Sequence, residues 1–386
     1  MQKLKLWVDT NLLIDGRRPC PLLMHLSEPD TEPQLLFWNQ LRNTLPDWVE
    51  VCEYTDPSEA GEIVVIPHEI KEYLGMRMTR KQRLTTARPK AGTKQTLKRV
   101  VGGVKPLHGM MAPIWRKARS YWYRAKYGRL GVREIRQYIS DVTATGRRVV
   151  VFSGGLEYEP QPGEIVFGGS VYRGEDTDIF PTPNWIFDIS SLAVPLDKPA
   201  VATVAFDGNT KYPTIYNRIA SRLPIVGAVV QKTAVNRDLC RFLTLKGRMV
   251  IARWVRKTSV EALRKASQLQ THIRERGEFF SLSPETKKRL RQEYLDAIRN
   301  NAYLMCVRGD ANTDFRTMEV LAAGRIPVVV DTKTMLPLLE GLRWEDFCVF
   351  VPFRDIGKIG EIVSDYHANL SKDDFQAKGR MAREAF

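Results

Sequence analysis

The chain of 386 residues contains only five Cys and five His, and neither set is grouped. No CxxC, HExxH or paired-His spacing occurs, which argues against a structural or catalytic zinc and fits free thiols in a reducing compartment. Apolar runs are short, and none approaches the roughly 18 uninterrupted residues of a membrane-spanning helix. The first residues, MQKLKLWVDTNLLIDG, put Asp9 where a secretion signal needs its apolar centre, so a cytoplasmic location is expected. No P-loop is present and no GxGxxG follows a strand-like run, so ATPase and dehydrogenase readings lack support. Internal repeats and low-complexity tracts are missing as well. Acid is scarce in one segment: from Lys71 to Val150, 21 Lys and Arg face only Glu72, Glu134 and Asp141, a local excess above the +15 of the whole chain. That concentration describes a surface and a partner rather than a fold.

What is present is an ordinary composition, 43% hydrophobic and 27% charged, on a length that favours two domains. Short Val- and Ile-rich runs alternate with helical patterns, which predicts an α/β protein with parallel sheets. In the first half the strand candidates are Lys5–Val8, Val49–Cys52, Glu62–Ile66, Arg148–Phe152 and Glu164–Phe167. The three prolines between Tyr172 and Asp197 mark a connection. A second set runs through Ala200–Phe206, Met249–Ile251, Ala302–Val307, Ile326–Asp331 and Phe347–Val351, and two helices close the chain. Two αβα domains facing each other across a cleft are expected, bounded at 1–195 and 196–355, with helices 356–386 packing back toward the first domain.

The stretch CVRGDANTDFRTMEVLAAGRIPVVVDT (306–332) is a strand, a small-residue loop, a helix and a second strand. In open parallel sheets ligands bind at the carboxyl ends of the strands, where this loop lies. Asn312, Thr313 or Asp314 suits the helix N-cap and Gly324 its C-terminal stop. Phe315, Met318, Leu321 and Ala322 form the expected buried stripe, with Arg316 and Glu319 beside it, three residues apart. The free amides and helix dipole favour phosphate. Arg308 and Arg316 suit a diphosphate, and Glu319 can accept from two ribose hydroxyls. An ordinary surface ion pair between Arg316 and Glu319 explains the spacing equally well.

These residues resemble the exostosin family of glycosyltransferases, whose C-terminal signature runs Arg-Gly, Phe/Tyr-Arg-x-x-Glu and Ile-Pro-Val. Arg308-Gly309, Phe315-Arg316, Glu319 and Ile326-Pro327-Val328 match it in order and spacing. The segments LPLLEGLRWEDFCVFV and IVSDYHANLSKDDF resemble soluble bacterial-type members. Upstream, DPSEAGEIVVIP (56–67) and KPAVATVAFDG resemble the N-terminal signature and the first strand of the second domain. The resemblance implies a GT-B architecture of two Rossmann-like domains, an acceptor-side domain first and a nucleotide-sugar donor domain second. It further implies an inverting transfer, without a bound metal or other cofactor, from a nucleotide-diphosphate sugar, expected to be a UDP-sugar. The acceptor is expected to be a hydroxyl of a glycan or lipid-linked glycan in bacterial polysaccharide or glycolipid assembly. Arg308, Gly309, Asn312, Thr313, Phe315, Arg316 and Glu319 would then face the donor.

Transfer needs a base for the acceptor hydroxyl. In the first half, strand ends offer His68 and Glu69, the turn near Glu157, and Asp9, though His68 suits a helix start as well. Gly208, Lys211 and Arg218, in and after AFDGNTKYP, can approach donor phosphates or form a plain strand-to-helix turn. Arg274 and Arg276 read better as a solvated helix end than as cleft residues. Asp176-x-Asp178 spells a metal-holding DxD, but in a proline-rich connection it carries little weight. In the basic segment, Trp115, Tyr121, Trp122, Tyr123 and Tyr127 alternate with Arg116, Lys117, Arg119, Arg124 and Lys126. Such a surface suits an anionic membrane or an acidic or lipid-linked acceptor, and equally a solvated helix with its aromatics turned inward. Nucleic acid is the weakest of these partners. A non-catalytic polyanion-binding protein using residues 71–150 is the alternative to an enzyme.

Overall fold

The computed structural model describes residues 3–13, 20, 49–55, 59–70, 129–153, 158, 160–174, 179–182, 189–211, 224–236, 239, 245–277, 283–309 and 311–386. Within them the chain is α/β, with two sheets of largely Val, Ile and Leu strands. The first sheet contains β1 (Leu4–Asp9), β2 (Val49–Tyr54), β3 (Ile63–Val65), β4 (Arg148–Phe152), β5 (Glu164–Gly168) and a short edge strand β6 (Ile179–Pro181), in the order β2-β1-β3-β4-β5-β6. The pairings among β1 to β5 are parallel. Helix α1 (Arg129–Thr143) leads into β4.

The second sheet has the order β11-β10-β9-β7-β8 and is parallel throughout. Its strands are β7 (Thr203–Asn209), β8 (Gln270–Arg276), β9 (Tyr303–Cys306), β10 (Ile326–Asp331) and β11 (Val349–Pro352). Helices α2 (Pro224–Ala234), α3 (Leu245–Lys265), α4 (Pro284–Asn300), α5 (Phe315–Ala322), α6 (Ile359–Ala368) and α7 (Lys372–Glu384) accompany it. Alternate strand residues feed two separate cores. Val204, Phe206, Tyr303, Met305, Val328 and Val330 pack with α2, α3 and α6 on one face. Ala205, Leu304, Cys306 and Val329 pack with α4 and α5 on the other. Burial on both faces is why these strands read as continuous apolar runs instead of alternating ones. The described residues divide into two compact units, those up to Phe167 in one and those from Gly168 onward in the other. This is the expected Rossmann-like, GT-B class of fold.

Two expectations about elements are corrected. Met249–Ile251 is not a strand but part of α3, because three apolar residues satisfy either period and the flanking pattern continues helically for 21 residues. Arg274 and Arg276 lie not on a helix end but in β8, an edge strand whose charged side chains hide its strand period. The closing helices pack into the second unit's own core, through Val363 and Phe375 on one face and Ala382 on the other. Gly324 does end α5: at φ +63° it sits in a left-handed turn, with its amide donating to Leu321 O and that of Arg325 to Val320 O.

The loop before β7 is tied to α6 by His367. This buried side chain bonds the Tyr303 hydroxyl through Nδ1 and the Pro199 carbonyl through Nε2, each at 2.9 Å. The neutral ring satisfies both when the phenol donates to Nδ1 and Nε2–H donates to the carbonyl. Burial, with Lys198 adding to it, lowers the His367 pKa from its ordinary 6.5. The unfolded chain therefore binds this proton more readily, and the stabilisation present above about pH 6.5 is lost as the pH falls. Urea denaturation at pH 7.5 and 5.5 checks this: the midpoint is expected to drop in acid, and His367→Gln to drop less.

Candidate functional site

The carboxyl ends of β7, β8 and β9 carry an unusual density of charge. Asp207 and Gly208 stand near the end of β7, Arg274 and Arg276 at the end of β8, and the Arg308–Asp314 loop follows β9. Asp207 is buried and accepts from Arg276 through both of its oxygens. Arg276 and Arg274 also pair with Glu293 of α4, at 3.3 and 3.5 Å, and Arg289 joins at 2.8 Å. Burial opposes the charge of Arg276, but Asp207 and Glu293 raise its pKa on balance, so it stays cationic.

Arg316, in the first turn of α5, reaches across to β7. Its Nε donates to the Asp207 carbonyl at 2.9 Å and its Nη1 to the Asp314 carboxylate at 3.2 Å. The guanidinium stacks over the Phe206 ring, 5.8 Å from its centre, and Nη2 crosses Gly208 so closely that a Cβ there would lie 2.6 Å away. Only Gly permits this approach. Asp314, Tyr294 and Glu319 outweigh the cost of burial and raise the pKa of Arg316.

Glu319, one turn on, takes different partners. Arg291 Nη1 donates to its Oε1 at 2.7 Å and the Tyr294 hydroxyl to its Oε2 at 2.5 Å, both from α4. The Arg316–Glu319 surface ion pair is therefore not formed, and Glu319 is 8% exposed. Asp314 occupies the N-cap position of α5 without a side-chain capping bond, which leaves the first-turn amides uncapped by it.

Other sequence candidates fall elsewhere. Arg308 is buried, its Nη1 donating to the Tyr172 hydroxyl and the Ala234 carbonyl, so it serves the core instead of facing the loop surface. Asn312 is fully buried too. Its side chain donates to Val171 O and Thr332 O and accepts from the hydroxyls of Thr332 and Thr334, which joins the loops after β9 and β10. Gly309 donates its amide to Thr313 O, closing the loop, and Thr313 is half-buried. Phe315 does not join the buried stripe: as the first residue of α5 it precedes the packed turns and is 59% exposed. Lys211 is exposed beyond β7, its amide donating to Asn209 Oδ1.

In the first unit, His68 is buried and Glu69 half-buried just past β3. Asp9 caps the turn after β1, taking the Asn11 amide on Oδ1 and the Tyr138 hydroxyl on Oδ2, which ties up both oxygens structurally. Glu157, Arg218, Asp176, Asp178, Trp115, Arg116, Lys117, Arg119, Trp122, Arg124 and Lys126 lie outside the described residues, as do Tyr121, Tyr123 and Tyr127. Sequence reading missed the partners of the site, Arg291 and Tyr294. They stand 28 and 25 residues before Glu319, and no local pattern links them to it.

A doubly wound parallel sheet with cations gathered at the carboxyl ends of its strands defines the second unit as a Rossmann-like ligand-binding fold. Comparison adds that residues 242–366, from just before α3 through most of α6, match the Exostosin GT47 domain. The chain is 34% identical over 79 residues to a probable glucuronoxylan glucuronosyltransferase of Arabidopsis thaliana, a stretch covering 20% of this chain and 18% of that protein. It is 32% identical over 73 residues to an exostosin-1 homolog of Caenorhabditis elegans, 19% of each. The matched stretches thus span less than a fifth of the length of these relatives.

Proposed function

We propose that the protein is a glycosyltransferase that takes a sugar from a nucleotide-diphosphate donor, a UDP-sugar, and passes it to a glycan hydroxyl. One observation carries the reading: Arg316 and Glu319 stand one turn apart at the carboxyl end of the sheet, each held by other residues instead of by its neighbour. An arginine anchored at Nε and Nη1 keeps Nη2 over Gly208 for a phosphate oxygen, and α5 opens its amides to the same place. A diphosphate leaving group is stabilised by such fixed positive charge as it departs. Glu319, with one donor on each oxygen, retains lone pairs for ribose hydroxyls.

Arg308 has no direct part in this scheme; it and Asn312 shape the loop from within. His68 and Glu69, in the first unit, are the described candidates for the acceptor's base, as a proton acceptor near neutral pH must be a group of this kind. Transfer without a metal, a cytoplasmic setting in bacterial polysaccharide or glycolipid assembly, and an acceptor or membrane contact through residues 71–150 complete the proposal. A thermal-shift panel tests it. UDP and UDP-sugars are expected to raise the melting temperature by a few degrees at about a hundredfold excess over Kd. A response to polyanions alone, with none to any nucleotide, would replace the enzyme with a polyanion-binding protein.

A further inference from the structure

We propose that Arg291 and Tyr294 of α4 are positioning residues for the nucleotide ribose, acting through Glu319; this rests on the donor reading above. The two lie three residues apart on one face of α4, and the Arg291 guanidinium sits over the Tyr294 ring, 5.3 Å from its centre. They present two donors at a fixed separation, one to each oxygen of Glu319. A carboxylate offers about four lone-pair sites, so two remain for the paired hydroxyls of a ribose. Burial, and after it Glu319, pushes the Tyr294 pKa well above its ordinary value, so the phenol remains a donor at every working pH.

The pair also keeps Glu319 away from Arg316. On a helix these two are i,i+3 neighbours of opposite charge, and a free Glu319 side chain would turn to the guanidinium. Such a pair would neutralise the cation that faces the diphosphate and draw the carboxylate off the ribose. The donors on α4 prevent both. Tyr294 and Arg291 thus separate the anion-accepting and hydroxyl-accepting halves of one site.

Calorimetric titration of UDP and 2′-deoxy-UDP into the full chain tests this. The wild type is expected to prefer UDP by about tenfold, the worth of one hydrogen bond to a charged group. Tyr294→Phe keeps the ring and removes only the hydroxyl. It is expected to bind UDP several-fold more weakly, with the preference over 2′-deoxy-UDP shrinking toward one. Arg291→Met is expected to act in the same direction. If Tyr294→Phe lowers the melting temperature but leaves the preference intact, the residue is merely structural and the positioning role is overturned. Glu319→Gln separates the two levels. If it abolishes the preference while Tyr294→Phe does not, the proposal alone falls; if the wild type binds neither nucleotide, the donor reading falls with it.

Discussion

Glu319→Gln is expected to weaken UDP binding by about tenfold or more while the second unit stays folded. The carboxylate accepts from Arg291 on one oxygen and from Tyr294 on the other. An amide has a single oxygen, so either orientation sets its NH2 against one of those donors. The side chain must turn or lose a partner, and the acceptor meant for ribose moves with it. Glu319→Ala is harsher. It removes the acceptor of the Tyr294 hydroxyl and of Arg291 Nη1, and the loss of stability, about 2 kcal/mol, would mix with the loss of binding. Measuring UDP affinity together with the melting temperature separates the two effects. Unchanged affinity in the Gln variant would remove Glu319 from the donor site.

The second large effect is expected at a residue with no side chain. Gly208→Ala places a methyl 2.6 Å from Arg316 Nη2 and 3.0 Å from the Phe206 ring. The far end of an arginine yields easily, so the fold should tolerate the change, at a cost of about 1 kcal/mol. Binding should not tolerate it. Displaced guanidinium nitrogens no longer point where Asp207 O and Asp314 had aimed them, and a charge-assisted bond to a diphosphate is worth about 1.5–3 kcal/mol, or tenfold to a hundredfold in affinity. Gly208→Ala and Arg316→Ala should therefore lower UDP affinity to a similar degree, and the double variant hardly further, because both remove one interaction. Additive losses would show that Gly208 acts on its own, through the backbone approach of the ligand.

How much of this was legible beforehand depended on the range of the interactions. The strand–loop–helix–strand unit around α5 is local. Its apolar runs, its Gly324 stop and its position at a strand end could all be read from consecutive residues, as could most strands of both sheets. The strand β8 was hidden because an edge strand with His272, Arg274 and Arg276 on one face and Glu275 on the other carries little apolar signal. Met249–Ile251 misled for the opposite reason: a short apolar run fits a strand or a buried helix turn equally. At the site, spacing left Arg316 and Glu319 open between an ion pair and a ligand pair. What separates them is α4, which supplies Arg291 and Tyr294 from 25 to 28 residues upstream. Arg308 went the same way: its loop position suggested a ligand, and only the fold, which brings Tyr172 from 136 residues away, shows it turned inward.

A nucleoside diphosphate is expected on the carboxyl edge of the second sheet. A crystal structure of the chain grown with UDP addresses it directly. The diphosphate is expected within hydrogen-bond reach of Arg316 and the first amides of α5, with the ribose hydroxyls on Glu319. Nucleotide bound at another part of the second unit, with Arg316 and Glu319 untouched, would contradict it.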